Sequence, residues 1–446
     1  LANRPEPIPS GLRRSTILLL VVLLSVLVFV GKGYRDERTV LHFRDFKQPY
    51  ASARCLLHGC NPYSEPDTLA EFLRAGGDNS DAVVFQPYSA LYPPFSFALL
   101  TPLAALNYHA AHLVWFWTIA GLFSLAAMLM ADLCIRLGSS VLAPVLLAAF
   151  TITSTILLME GQISGVVIAL TAIGFWCLLR QKLTWVAVLA FTIALVLKPH
   201  DSALLVGYLL FAGPGWRKTF FAIALLTLVL VVAGTLWCAH QPASAHWFTD
   251  LQANLKGNAG AGNVNDPAGG NVQAVNMANL QPLFAAENRS PRFYNTSAEV
   301  VTLLLLGCWM LPAWRMRNSM QKHILAIAAM ACIMLLPIYH RQYDTRVLLL
   351  VFPAVALLLA WRRSWGVAGL VLLGVATVTT SHTYLGKLTI DHDRRIEAAG
   401  ALKTLLLYRP IPEIELLLAI FLVAAFLACY RADAALPGGA SVPDRL

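Results

Sequence analysis

The sequence predicts an all-α, polytopic membrane protein with about twelve transmembrane helices, and three observations carry that expectation. Hydrophobic residues make up 58% of the chain and charged ones only 13%, with a mean hydropathy of +0.64, where a soluble globular chain is about a quarter charged. Apolar runs long enough to cross a bilayer recur along the chain, and they are continuous rather than alternating, which favours helices over strands. The Lys and Arg residues behind the net charge of +9 sit between those runs. Cations so placed read as topology anchors, so no nucleic-acid partner is expected.

The first run, Thr16 to Val30, follows Arg13 and Arg14 and resembles a signal sequence. No Ala-x-Ala site follows it, so an uncleaved first span is expected. Further spans are expected near 108–133, 141–159, 163–179, 183–197, 201–214, 219–237, 298–314, 323–338, 345–360, 365–384 and 413–430. Pro93 to Leu106 is apolar but short, and opens with Pro93-Pro94. If it does not cross, the loops on the side of Arg13 and Arg14 carry Arg136, Arg180, Lys182, Arg217, Lys218, Arg315, Arg317, Lys322, Arg362, Arg363 and Arg431. The positive-inside rule then places both termini in the cytoplasm of a plasma (inner) membrane. One domain over 1–431 is expected, with outer loops 32–92, 238–297 and 385–412, and a disordered cytoplasmic tail over 432–446. In the first outer loop, Gln48 to Leu57 reads as an interfacial amphipathic helix ending at Gly59, before an Asn61-Pro62-Tyr63 turn. Residues 253–280 are rich in Gly, Asn and Ala and read as a flexible loop or lid.

The eight cysteines show no zinc-type spacing. Six fall in or beside spans. Cys55 and Cys60 lie in the first outer loop, either bridged or as two free thiols.

The polar clusters with mixed chemistry all fall on the outer side. Asp45, flanked by Phe43 and Phe46, is a base if partly desolvated, but the residues alone favour a loop aspartate paired with Arg44 or Lys47. Lys198-Pro199-His200 ends an apolar run, where topology requires no cation, and suits a phosphate. His340-Arg341-Gln342-Tyr343-Asp344-Thr345-Arg346 packs many polar groups between two spans, so they face headgroups or a hydrated cavity. Arg341 can clasp a phosphate and His340 can donate a proton, while Tyr339 and Tyr343 also suit an aromatic belt. In Glu160-Gly161-Gln162, the Gln162 amide suits a sugar hydroxyl or a cap.

The order Asp45-Phe46, Tyr50-Ala51-Ser52-Ala53-Arg54, Gly59, Asn61-Pro62-Tyr63, Tyr92-Pro93-Pro94-Phe95, Gly161-Gln162 and Leu197-Lys198-Pro199 resembles glycosyltransferase family 87. That family comprises polytopic enzymes of the GT-C fold and includes mannosyltransferases. The resemblance runs from about residue 40 to about 360, with Asn279-Leu280-Gln281 like the family's Asn-rich patch. Ser164 stands where the family often has Asn. The resemblance implies a polyprenyl-phosphate-linked sugar donor, a lipid or glycan acceptor, and Asp45 as the catalytic base on the extracytoplasmic side. Lys198, His200, His340, Arg341 and Arg346 are then expected at the donor phosphate. Gln162, Tyr92, Asn279 and Tyr343 are expected at sugar or acceptor. A lipid-phosphate leaving group needs no nucleotide, so no cofactor and no metal are expected. A transporter or flippase for a lipid-linked sugar is the rival reading, and it would place ionisable or broken segments at mid-membrane in matched halves. A non-catalytic assembly protein is a third.

Overall fold

The computed structural model describes residues 10–38, 43–85, 90–138, 140–268, 276–382 and 410–434. His42, the Asp391–Arg395 cluster with nearly all of the expected loop 385–412, and the tail from 435 lie outside those residues. The described chain is helical, with one isolated bridge between Met277 and Arg341. In order the helices are α1 (Ser10–Asp36), α2 (Arg44–His58), α3 (Glu65–Arg74), α4 (Pro94–Ala104), α5 (Tyr108–Leu137), α6 (Leu142–Thr153), α7 (Ile156–Glu160), α8 (Ile163–Leu179) and α9 (Thr184–Leu197). There follow α10 (Ala203–Gly207), α11 (Pro214–Ala239), α12 (Trp247–Asn258), α13 (Gln281–Glu287), α14 (Pro291–Arg315) and α15 (Met320–Ile333). A 3-10 run Asp344–Val351 leads into α16 (Phe352–Trp361), then α17 (Arg363–Thr379) and α18 (Pro410–Ala434).

Among the described residues, seven segments are long and apolar enough to cross a membrane: α1, α5, α6 with α7, α11, α14, α16 with its 3-10 lead, and α18. Their outward faces carry bare aliphatic side chains, among them Leu24 and Leu27 on α1, Leu225 and Leu228 on α11, and Leu303 and Leu304 on α14. So much contiguous apolar surface is stable against lipid and not against water. α8 is apolar on every side and nearly every residue of it is buried, so it is the central helix rather than a lipid-facing one. A multi-pass membrane protein follows.

α4 takes up most of the ambiguous Pro93–Leu106 segment. At about 1.5 Å per residue its eleven residues reach roughly half of a bilayer core. Both of its ends are tied to the unit that follows α1: Tyr63 O–H donates to the Tyr92 carbonyl at 3.0 Å before it, and Tyr50 O–H donates to the Leu106 carbonyl at 2.7 Å after it. α4 is therefore held at both ends against that unit.

The expected span 201–214 is not one helix. It runs as Pro199–Asp201, α10 and Tyr208–Leu210, three short turns. One end joins Lys198 and Asp201 at the polar cluster described below. The other meets the start of α15, where Tyr208 Oη lies 2.7 Å from His323 Nδ1 and Lys322 Nζ donates to the Phe211 carbonyl at 3.3 Å. A broken segment here keeps its backbone paired within protein, as a membrane interior demands.

In the first loop, α2 begins at Arg44, ahead of the expected Gln48, and ends on Gly59 with φ +81°. Ten of its fifteen residues are buried, so it is an internal helix covered by its neighbours rather than an interfacial one. Cys55 and Cys60 are bridged. Asn61 Oδ1 accepts from the Tyr63 N–H at 3.0 Å, the side-chain turn expected there.

Candidate functional site

The position of Asp45 is specified by its neighbours. Phe43 adopts a left-handed conformation, φ +57°, and its N–H donates to the Met159 carbonyl at 3.0 Å. The Phe43 ring covers Gly161, so closely that an added Cβ would lie 2.7 Å from a ring carbon. Gly161 itself has φ +67°, and its carbonyl accepts from Trp115 Nε1 at 2.9 Å. Phe46 stacks on Trp115 with ring centres 5.3 Å apart. Asp45 then sits half-buried in the first turn of α2, where the helix dipole favours a carboxylate. The Gln162 amide donates to Asp45 Oδ2, and the Glu160 carboxyl lies against that of Asp45. Burial raises the pKa of Asp45; Arg341 and Arg44 oppose the rise without cancelling it. The expected pairing of Asp45 with Lys47 does not form, because Lys47 Nζ is 2.5 Å from Asp81.

A second cluster adjoins the first. Lys198 Nζ lies 2.5 Å from Asp344 Oδ1, 2.9 Å from Asp201 Oδ2 and 2.7 Å from Ser164 Oγ. Ser164 Oγ donates to Asp344 at 2.6 Å, so the serine that departs from the expected Asn is built into this network. His340 Nδ1 is 3.4 Å from both Asp201 and Asp344, and the Arg341 N–H donates to Asp344 Oδ2 at 2.8 Å. His200 stands beside His340, ring centres 5.3 Å apart, and 3.5 Å from Asp201 Oδ1. Burial works against the charge on Lys198 and on His340, but Asp201 and Asp344 outweigh it. The lysine pKa is held above its usual value, and that of His340 is raised to about 9. Burial pushes His200 down to about 4, with Asp201 opposing. Two acids therefore face two cations here, Lys198 and protonated His340, while His200 stays neutral.

His200, Asp201 and His340 present ligand atoms within 4.8 Å of one another, a spacing a metal ion can bridge. Both His340 nitrogens and both Asp201 oxygens are buried without a well-formed hydrogen bond. Such atoms call for a polar partner in the site.

Arg341 links the clusters. Its guanidinium donates to Tyr339 Oη and, at 3.1 Å, to Asn265 Oδ1 of the long loop. Burial opposes its charge; Tyr339, Tyr343 and Asp45 more than restore it. Residues 276–280 strap over this turn: Ala278 N–H donates to His340 O and Gln342 N–H to Asn276 O, each at 2.8 Å. Asn279 belongs to that strap, with its amide on Gln281 and its carbonyl 3.5 Å from the His340 N–H. Tyr343 places its ring 5.4 Å from Lys198 Nζ. Tyr92 faces Lys198 and Asp45, and burial raises its pKa.

Arg346 is the exception among the expected residues. It is fully buried away from this cluster, donating to Thr380 O and Oγ1 at 2.6 and 2.5 Å and lying over the Phe150 ring at 4.8 Å. Two residues past Asp344 in the 3-10 run, its side chain lies on another face, toward α17. The residues that sequence reading left out are Glu160, Ser164, Asp201 and Asp344. Their signal was an acid or hydroxyl at the end of an apolar run, beside residues already singled out.

Neither a curated protein nor a solved structure matches the chain. The model of glycosyltransferase family 87 matches residues 90–338, more than half of the 446 residues. The match takes in Tyr92, Gln162, Lys198, His200 and Asn279, and leaves Asp45 and the 340–346 turn on geometry alone. The chain belongs to glycosyltransferase family 87 and is, in general terms, a membrane glycosyltransferase.

Proposed function

We propose that the chain moves a hexosyl residue, mannosyl among the candidates, from a polyprenyl-phosphate sugar to a lipid or glycan acceptor on the extracytoplasmic face of the plasma membrane. Asp45 is the general base. It takes the acceptor hydroxyl proton as the acceptor oxygen attacks the anomeric carbon from the side opposite the leaving group. The bond from that carbon to the phosphate oxygen breaks, and polyprenyl phosphate leaves with inversion. Charge growing on the phosphate needs donors aimed at it beforehand. Arg341 and His340 supply them, with His200 beside them and Lys198 holding the acids that keep His340 protonated. Gln162 orients Asp45, and Tyr92, Tyr343 and Asn279 border the sugar and acceptor. Arg346 is left out of the phosphate set, because its guanidinium is bound to Thr380.

The observation that carries this reading is the meeting of Asp45 and Arg341. The charge of Arg341, on a distant turn, acts on the half-buried Asp45 carboxylate, which the Gln162 amide holds. The architecture proposed with it is GT-C-like, with twelve crossings, counting the broken 201–214 segment and excluding α4. The test is Asp45→Asn in membranes supplied with a polyprenyl-phosphate hexose. Sugar transfer is expected to vanish while insertion stays normal; transfer surviving that change removes Asp45 from its role.

A further inference from the structure

Glu160 is an ionisable group at this site that the proposed reaction does not yet use. It ends α7 immediately before the left-handed Gly161, and Gln162 follows. The one turn thereby delivers two side chains to the same carboxylate. The groups facing Asp45 are Arg44 from its own helix, Glu160 and Gln162 from this turn, Tyr92 ahead of α4, and Tyr339, Arg341 and Tyr343 from the strapped turn. Those facing Glu160 are Asp45, Arg341 and Arg44. Two carboxyls in contact hold one proton between them rather than ionise together. Asp45 is the member better placed to be the anion, since it has the α2 dipole and the Gln162 amide. The proton then rests on Glu160, which becomes a donor.

We propose that Glu160 is a positioning residue for glycosyl transfer: as a neutral carboxyl it donates a hydrogen bond to Asp45, keeping that carboxylate ionised and turning its open oxygen toward the acceptor hydroxyl. Glu160 keeps its own proton throughout, and Asp45 alone receives the one from the acceptor. This rests on the reading of Asp45 as the base.

The experiment is steady-state transfer by the purified full-length chain from a polyprenyl-phosphate hexose, across pH, for Glu160→Gln and Glu160→Ala. The glutamine amide still donates, so E160Q is expected to keep kcat within about threefold and to keep the acid limb of the wild-type profile. Losing a hydrogen bond to a charged group, E160A is expected to lose about 10- to 100-fold in kcat, with the donor KM unchanged. Its acid limb moves to higher pH, because Asp45 then binds its proton more tightly. Infrared difference spectra between wild type and E160Q at neutral pH read the protonation directly, whether or not E160A folds. The carbonyl band of a neutral carboxyl is expected to disappear. The proposal is overturned if the lost band is that of a carboxylate, if E160Q is as impaired as E160A, or if E160A keeps the wild-type kcat and acid limb. None of those outcomes touches the base itself, which only Asp45→Asn tests.

Discussion

Asp45 is held in an environment that raises its pKa, and this has a cost in stability that can be measured. For an acid with a raised folded pKa, stability is lost as pH climbs from its ordinary value of about 3.9 through the folded one. At neutral pH its charge therefore works against folding. Asp45→Asn is expected to leave the unfolding temperature unchanged or higher while abolishing transfer, the usual signature of a strained functional group. A variant that loses both activity and stability would mark Asp45 as structural. His340 has the opposite sign. Its pKa rises from about 6.5 to about 9, so the ion balance of its cluster is complete below the lower value and is lost as pH passes the upper one. The apparent KM for a polyprenyl-phosphate hexose is expected to climb as pH is taken through about 9. A KM flat through that range contradicts a donor-phosphate role for His340. At this scale the residues alone drew attention to Lys198, His340 and Arg341, because polar residues stand out in an apolar chain, and the family resemblance added Asp45. It could not separate Arg341 from Arg346, since which face each presents depends on how tightly the 3-10 run Asp344–Val351 winds.

Among the elements, the turn from α7 to α8 bears most directly on the site. It carries Glu160 and Gln162, and it exists in this form because Gly161 combines φ +67° with contact against the Phe43 ring. Alanine there meets both a disfavoured backbone region and a clash with an aromatic ring. Gly161→Ala is expected to destabilise the chain by about 1–3 kcal/mol, read as a lower unfolding temperature in detergent. Transfer should fall further than that loss of stability explains, because Phe43 and with it Asp45 are displaced. Unchanged stability and activity would detach the turn from the site. The turn was legible as Gly-Gln in sequence, but not its partner, since Phe43 and Gly161 are far apart in the chain and no local pattern links them. The same holds for α2. Its apolar and polar residues suggested an interfacial helix, whereas α3, α4 and α5 cover it from several sides, a tertiary fact that periodicity does not encode.

At the scale of the molecule, hydropathy and the placement of Lys and Arg made the class legible, because a bilayer forces long apolar helices whatever their function. They said less about segments that break the rule. α4 is apolar enough to suggest a crossing but is tied at both ends to the first loop, and residues 201–214, expected as one span, run as three short turns. The topology this implies is testable by labelling single cysteines with a membrane-impermeant thiol reagent. Ser80→Cys and Leu106→Cys, on either side of α4, are expected to react from one face of the membrane, and Arg317→Cys from the other. Ser80→Cys and Leu106→Cys reacting from opposite faces would mean that α4 crosses.

The claim on which the rest depends is that one pocket joins the carboxylate after α1 to the cations of the strapped 340–343 turn, around a lipid-linked sugar. The most direct measurement is a cryo-electron microscopy map of the full-length chain with a polyprenyl-phosphate hexose bound. The predicted result is phosphate density within hydrogen-bond reach of Arg341 and His340, with the sugar between it and Asp45. Phosphate density elsewhere, with Asp45 turned to bulk solvent, would contradict the account.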